Sequence, residues 1–550
     1  MVEVIDLTVN DIDLVDLTQE KEVIDLTKIE GLGDYQARKP IHILDDSEPS
    51  ASESPIVVPD EGIGKPRPWY LDPDKNHPFE LTLKGKPEGS VSKVTFTQVV
   101  FFPWDSTFPL KNLWGDDPYI DREEAKKIWE TTLSKWSNSV AMCGRKLVRI
   151  VQTHPSEGRA DVVFQIKLPL GSQYHIKYLT WALDPWTLHP LLVFVHSSVL
   201  HVFNLELRES LGWLKGHGGN ITSIGVNTYY PHLVYSTSRD CTVRIYDFRW
   251  TSKLWNRYLI SVKTKNVLDP FGMQDLTESS KLGRCVIVLS GGRSGGHEAA
   301  ILGADFHPSL PLIATCGMDH AIRIWYLSSV LFQKAGFADK STAKTFREDK
   351  PLFSCTILHD GRVLSVHWLS NDILVSNSAA PYQMVENDQS NFGKMVVWKW
   401  LSLNRFFPTG RKTTPLSPLG GCISDFRESA SLKLISIIKL AEDYPRLQIS
   451  HNISGPPLIF IPYLNQIIIT NPCHFPVRPR TLLLHYQNLR PSDWCTEIPE
   501  VKGWTINNKN IKDGDLLACA MSPDGMVIVG VGKNEALWVW THKHRFYNKK

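Results

Sequence analysis

From about residue 91 onward the chain is a succession of short apolar runs broken by turn residues. "VTFTQVVFF" (94–102), "KLVRIVQ" (146–152), "LLVFVHSSVLHVFNL" (191–205), "HLVYST" (232–237) and "TVRIYDF" (242–248) are examples. Val, Ile, Tyr, Phe and Trp dominate these runs, and apolar positions recur with a period of two. That pattern predicts β-strands, each with one buried face. "DREEAKKIWETTLSKW" (121–136) breaks the pattern with helical spacing and predicts a helix inserted between strands. Residues 1–65 contain no such organisation. Their acidic Ser/Pro stretch "DDSEPSASESP" (45–55) cannot bury a core, which predicts a disordered arm. The proline-rich "GKPRPWYLDPDKNHP" (64–78) leads into a transition over 66–90.

The strand runs contain an internal repeat. "GHGGNITSIGVNTYYPHLVYSTSRDCTVRIYDF" (216–248) aligns with "GHEAAILGADFHPSLPLIATCGMDHAIRIWYLS" (296–328). Both begin Gly-His, both carry an Asp (Asp240, Asp319) after a small-residue strand, and both place an aromatic six positions later (Tyr246, Trp325). A WD-type repeat accounts for the spacing. The His stands before the second strand of the repeat unit, and the Asp carboxylate in the turn between the third and fourth bonds turn amides and that His. Weaker copies fall at 94–152, 176–206, 363–402, 457–488 and 516–543, the last with Asn534 at the turn. Seven units predict an all-β, seven-bladed propeller over 91–545, a ring that leaves few exposed strand edges. Residues 105–136, 249–284 and 380–394 are read as insertions, and 546–550 as a basic tail.

Composition adds an asymmetry and removes several functions. Of the formal net charge of +2, residues 1–61 hold sixteen acidic and four basic residues, so the arm is −12 and the remainder +14. That positive excess is too dilute to argue direct, sequence-specific nucleic-acid binding. Nine scattered cysteines without a Cys-x-x-Cys fit a reduced intracellular protein without a zinc site. The acidic N-terminus is unlike a signal peptide, and no apolar run is long enough to span a bilayer. The chain has no Gly-x-Ser-x-Gly, P-loop, dinucleotide fingerprint or His-Glu-x-x-His, so neither a catalytic centre, a cofactor nor a metal is expected.

"CGMDHAIRIW" (316–325), "GHGGNITSI" (216–224), the "HPLL" of 189–192 after Trp181, and "VHWLSNDILVSNS" (366–378) resemble the EED / extra sex combs family, the WD-repeat subunit of Polycomb repressive complex 2. The likeness covers roughly residues 91–545. It implies a non-catalytic nuclear scaffold that binds a helix of a SET-domain histone H3 lysine methyltransferase, works beside a zinc-finger Polycomb subunit and supports repression. In that family an aromatic cage also receives trimethyl-lysine of the histone H3 tail by cation–π attraction. The resemblance assigns Phe102 to this cage, with Tyr178 and Tyr463 as the nearest aromatics to two further positions. The sequence departs from the family there. Lys177 falls on the second cage position by count from Trp181, and the family's adjacent Trp-Tyr pair has no counterpart.

The N-terminal arm repeats one pentapeptide three times: Val4-Ile5-Asp6-Leu7-Thr8, Leu14-Val15-Asp16-Leu17-Thr18 and Val23-Ile24-Asp25-Leu26-Thr27. Each resembles a SUMO-interacting motif, in which an extended apolar segment adds to a sheet edge while carboxylates face basic residues. Three copies imply avidity for SUMO or for SUMO-modified proteins. Looser copies follow at 41–44 and 56–58. A different class of function is carried by "YDFR", where Tyr246, Asp247 and Arg249 resemble the box by which WD-repeat substrate receptors dock cullin-type ubiquitin ligases. A scaffold of another nuclear complex is the third reading.

Overall fold

The computed structural model describes residues 4–6, 68–72, 76–85, 94–114, 122–154, 157, 159–168, 175–249, 283–291, 295–327, 345–381, 393–408, 418–440, 446–451, 456–463, 466–475, 503–507 and 516–543. Their strands form seven sheets, each of four antiparallel strands with two later additions, arranged as the seven blades of a propeller. Blade one is built from Gln98–Phe101, Ser139–Gly144, Leu147–His154 and Arg159–Lys167. Blade two follows with Ile176–Leu183, Pro190–His196, Val199–Asn204 and Glu209–Leu214, and blade three with Ile221–Val226, Leu233–Ser238, Val243–Asp247 and Arg284–Leu289. Blade four uses Ile301–Phe306, Leu312–Gly317, Ile322–Tyr326 and Phe353–Cys355; blade five uses Val363–Trp368, Ile373–Ser378, Gly393–Trp400 and Leu432–Leu440. Blade six consists of Gln448–Ser450, Leu458–Tyr463, Gln466–Thr470 and Trp504–Asn507.

Blade seven closes the ring. Leu516–Met521, Val527–Gly532 and Leu537–His542 supply three strands, and Phe79–Gly85 pairs antiparallel with Leu537–His542 as the fourth. The sequence reading put 79–85 in a transition outside the propeller; the structure corrects that boundary. Its burial pattern explains the miss, because a rim strand exposed over much of its length has no continuous apolar face to announce it. The 3-10 turn Trp69–Leu71 belongs to the same closure. The Trp69 ring packs edge-on against Phe79 at 5.3 Å and Trp504 at 5.0 Å.

The core is divided into seven apolar clusters, one at each junction between neighbouring blades. Each blade therefore buries both faces. Leu233–Ser238 and Leu312–Gly317 are buried at all six positions. This revises the expectation of one buried face per strand: the polar positions in the alternation are small hydroxyl residues, Ser236 and Thr315 among them, that lie inside the ring. Tryptophans tie one blade to the next. Trp181 Nε1 donates to the Val100 carbonyl at 3.1 Å, and Trp368 Nε1 to the Asp305 carbonyl at 3.3 Å. The helix Arg122–Trp136 forms as expected and buries Trp129 and Trp136 against the junction of blades one and two.

Repeat units and blades are offset by one strand. His217 precedes the innermost strand of blade three, and Asp240 turns between its second and third strands. The fourth strand of most units lies beyond the limits read from sequence, as 159–167, 209–214, 284–289 and 432–440 show. In blade six the expected outer segment 481–488 lies outside the described residues, and Trp504–Asn507 pairs there. Two three-residue strands extend blades by parallel pairing. Phe346–Glu348 lies on Arg284–Leu289 of blade three, and Val4–Asp6 lies on Arg159–Lys167 of blade one.

Candidate functional site

The mouth of the propeller's central channel, where the innermost strands begin, gathers the groups of greatest interest. Innermost strands slip register close to their first residues, between Ile221 and Ser223 in blade three and between Ile301 and Gly303 in blade four. Bulges of this kind re-aim side chains. In blade two the irregularity spans two residues, Lys177 and Tyr178, between the paired positions Ile176 and Leu179. Lys177 is exposed and Tyr178 half-buried. Arg446, two residues before the first strand of blade six, reaches across to this point. Its guanidinium carbon lies 5.2 Å from the Tyr178 ring centroid, and Nη1 donates to the Thr222 carbonyl at 2.8 Å. The aromatic face is thus already held by a cation of the same chain.

Of the expected cage residues, Phe102 and Tyr178 pack in different apolar clusters. Phe102 is fully buried, with Trp104 at 5.3 Å, Trp181 at 5.4 Å and Trp129 at 6.4 Å around its ring. That corrects the assignment made by resemblance: Phe102 is a packing residue of the junction between blades one and two. Tyr178 does reach the channel mouth, but against Arg446 and beside Lys177. Tyr463 ends the second strand of blade six, paired with Gln466. Arg446 went unnoticed because "DYPRLQIS" carries no motif; its role depends on a contact across the ring.

The box Tyr246, Asp247 and Arg249 is also corrected. All three are buried. Arg249 folds back on Asp247, with Nε 3.1 Å and Nη2 2.8 Å from Oδ2. Burial alone would raise the Asp247 carboxyl, but the Arg249 charge holds it below its usual range. The Arg249 carbonyl accepts from Trp186 Nε1 at 3.3 Å. A guanidinium consumed by its own strand end offers a docking partner little.

The repeat histidines form the network their spacing predicts. His217 Nδ1 lies 2.9 Å from Asp240 Oδ2 and Nε2 lies 2.7 Å from Ser236 Oγ. Burial lowers the His217 pKa, so the neutral ring donates to the carboxylate and accepts from the hydroxyl. Asp240 also accepts from the Gly218 amide and from Thr242 Oγ1. In blade four His297 lies 3.0 Å from Asp319 and 2.8 Å from Thr315 Oγ1, and Trp325 Nε1 donates to that hydroxyl at 2.9 Å. The innermost and second strands are locked together at the turn. Among the described residues no group of three or more His, Cys, Asp or Glu is placed to hold a metal ion.

Of the arm motifs, Val4, Ile5 and Asp6 are strand residues opposite Gln165, Ile166 and Lys167. Leu7, Leu14, Val15, Leu17, Val23, Ile24 and Leu26 lie outside the described residues.

Fold and repeats together define a WD-repeat β-propeller of seven blades, and the family model for the WD domain, G-beta repeat, matches residues 208–247 and 283–326. Curated relatives of this chain include Polycomb group proteins. It is 27% identical over 206 residues to Polycomb group protein FIE1 of Zea mays, spanning 36% of this chain and 36% of that protein. Over 203 residues it is 26% identical to Polycomb protein esc of Drosophila melanogaster, spanning 35% of this chain and 40% of that one. The matched region therefore spans well under half the length of either relative. The fold is similar to that of a chain of Chaetomium thermophilum Polycomb Repressive Complex 2 bound to GSK126, at a TM-score of 0.55 and 15% identity, covering 84% of this chain and 99% of that one.

Proposed function

We propose that this protein is a non-catalytic, nuclear scaffold subunit of a Polycomb-type complex. It holds other Polycomb subunits, among them a SET-domain histone H3 lysine methyltransferase and its zinc-finger partner. The observation that carries this reading is the sequence similarity to FIE and esc proteins within a complete seven-bladed ring. Affinity purification of the tagged protein from nuclei, followed by mass spectrometry, tests it. A SET-domain methyltransferase is expected among the stoichiometric partners. A cullin and its adaptor in place of any methyltransferase would overturn the reading.

The arm supplies a second activity, SUMO binding. Its support is the threefold repeat, together with the extended form of Val4–Asp6, three residues of the first copy. Full-length protein should retain a chain of linked SUMO units more tightly than a single unit. Ile5→Ala, Val15→Ala and Ile24→Ala together should abolish the difference, as read by surface plasmon resonance.

A further inference from the structure

Between blades two and three, at the channel mouth, lies a cavity of about 230 Å³ lined by His175, Lys177, Tyr178, Ser197, Asn220 and Arg239, with parts of Val195, Ile221 and Thr222. Among the described residues no carboxylate lines it. Lys177 and Arg239 are exposed cations, and Arg446 closes on two of the same lining residues, Tyr178 and Thr222. Asp240, the neighbour of Arg239, directs its carboxylate to His217, Thr242 and the Gly218 amide. Ser197 Oγ is engaged with Asn220 Oδ1 at 2.8 Å. The pocket is therefore built from cations and hydrogen-bond donors around one aromatic ring that already carries a guanidinium. Such a site repels a quaternary ammonium and attracts carboxylates.

We infer that the channel mouth binds an acidic peptide, and that its occupant is segment 45–61 of this same chain. That segment has six acidic residues (Asp45, Asp46, Glu48, Glu53, Asp60 and Glu61) and no basic one. It is also tethered on both sides. Val4–Asp6 of the first arm motif pairs with Gln165–Lys167, which ends eight residues before His175 of the pocket. The chain rejoins the propeller at the Trp69–Leu71 turn, against Trp504 of blade six. At roughly 3.3–3.6 Å per extended residue, the 22 residues from Asp46 to Pro68 have a maximum reach of about 70 Å. This inference is independent of which complex the protein joins.

Zero-length carbodiimide cross-linking of the full-length protein, read by mass spectrometry on an equal mixture of ¹⁴N and ¹⁵N material, tests it. Lys177 should couple to acidic residues of 45–61 within one molecule. The yield should fall about fivefold in 0.5 M salt and by a similar factor in Arg239→Ala, at an exposed position, with an unchanged melting temperature as the control for folding. Arg446→Ala should lower it too. Lys177 coupled only to propeller carboxylates, arm links found only between labelled and unlabelled copies, or yields indifferent to Arg239→Ala would each overturn the proposal. A trimethyl-lysine peptide bound by the wild type and lost in Tyr178→Ala would also overturn it.

Discussion

At the scale of single residues, the propeller depends on a few polar groups that sit where water cannot follow. Arg149 of blade one and Glu535 of blade seven form an ion pair at 2.7 Å with both side chains nearly inaccessible. The Arg149 guanidinium also stacks over Phe96 at 5.4 Å. Removing one member leaves a buried charge without its counterion. Glu535→Ala should therefore destabilise the fold by about 3–5 kcal/mol, measured by urea unfolding, while Arg149→Met with Glu535→Leu should recover much of that loss. Asp319 accepts from His297, from Arg323 at 2.7 Å and from the Glu298 amide, so Asp319→Ala should cost roughly 2–3 kcal/mol. Gly283 has φ +83, and a Cβ there would lie 2.6 Å from the Asp247 carbonyl oxygen, so Gly283→Ala should strain the entry to the outer strand of blade three.

Among elements, the strand Phe79–Gly85 holds the decisive position. It joins the beginning of the propeller to its last described strand and removes the edge that Leu537–His542 would otherwise expose. A chain starting at residue 62 should keep a cooperative transition, at a slightly lower temperature for want of the Val4–Asp6 pairing and the arm contacts. One starting at residue 87 should lack a cooperative transition and self-associate, as seen by calorimetry and light scattering. The outer edge of blade one is covered differently, by parallel pairing with Val4–Asp6. The repeat pattern made the inner three strands of most blades legible, since their burial on both faces demands apolar and small residues. Outer strands such as Glu209–Leu214 and Phe79–Gly85 are partly exposed and follow no such demand, which is why their positions were not read from the chain.

For the whole molecule, buried histidines tie stability to pH. Burial lowers His232 and His359 to about 3 and His201 and His307 to about 4, from the ordinary value near 6.5. Between those values the unfolded chain binds protons that the folded one excludes, so stability is full above about 6.5 and declines as pH falls toward 4. Asp240 and Asp319, held well below the usual carboxylate range despite their burial, add a further loss below about 4. The melting temperature should thus hold level from pH 7.5 to about 6.5 and decrease from there to pH 4.5, and His359→Gln should flatten that slope. The ring itself was legible from two units in register, "GHGGNITSI" and "GHEAAILGA", each with its following Asp and aromatic. Its surface chemistry was not.

By itself the sequence determined what is local or periodic. It specified the strand runs, the His–Asp spacing that locks blades three and four, the helix Arg122–Trp136, the charge division between arm and body, and the threefold arm motif. Tertiary structure decided what depends on closure. Whether Phe102 faces a ligand or a tryptophan cluster is set by how blades one and two press together. Whether Tyr178 is free depends on Arg446 arriving from the far side of the ring. The physical reason is the same in each case. Blade formation is rewarded by contacts within a repeat, which spacing encodes. The channel mouth is composed of residues from blades distant in sequence, whose meeting no period along the chain records.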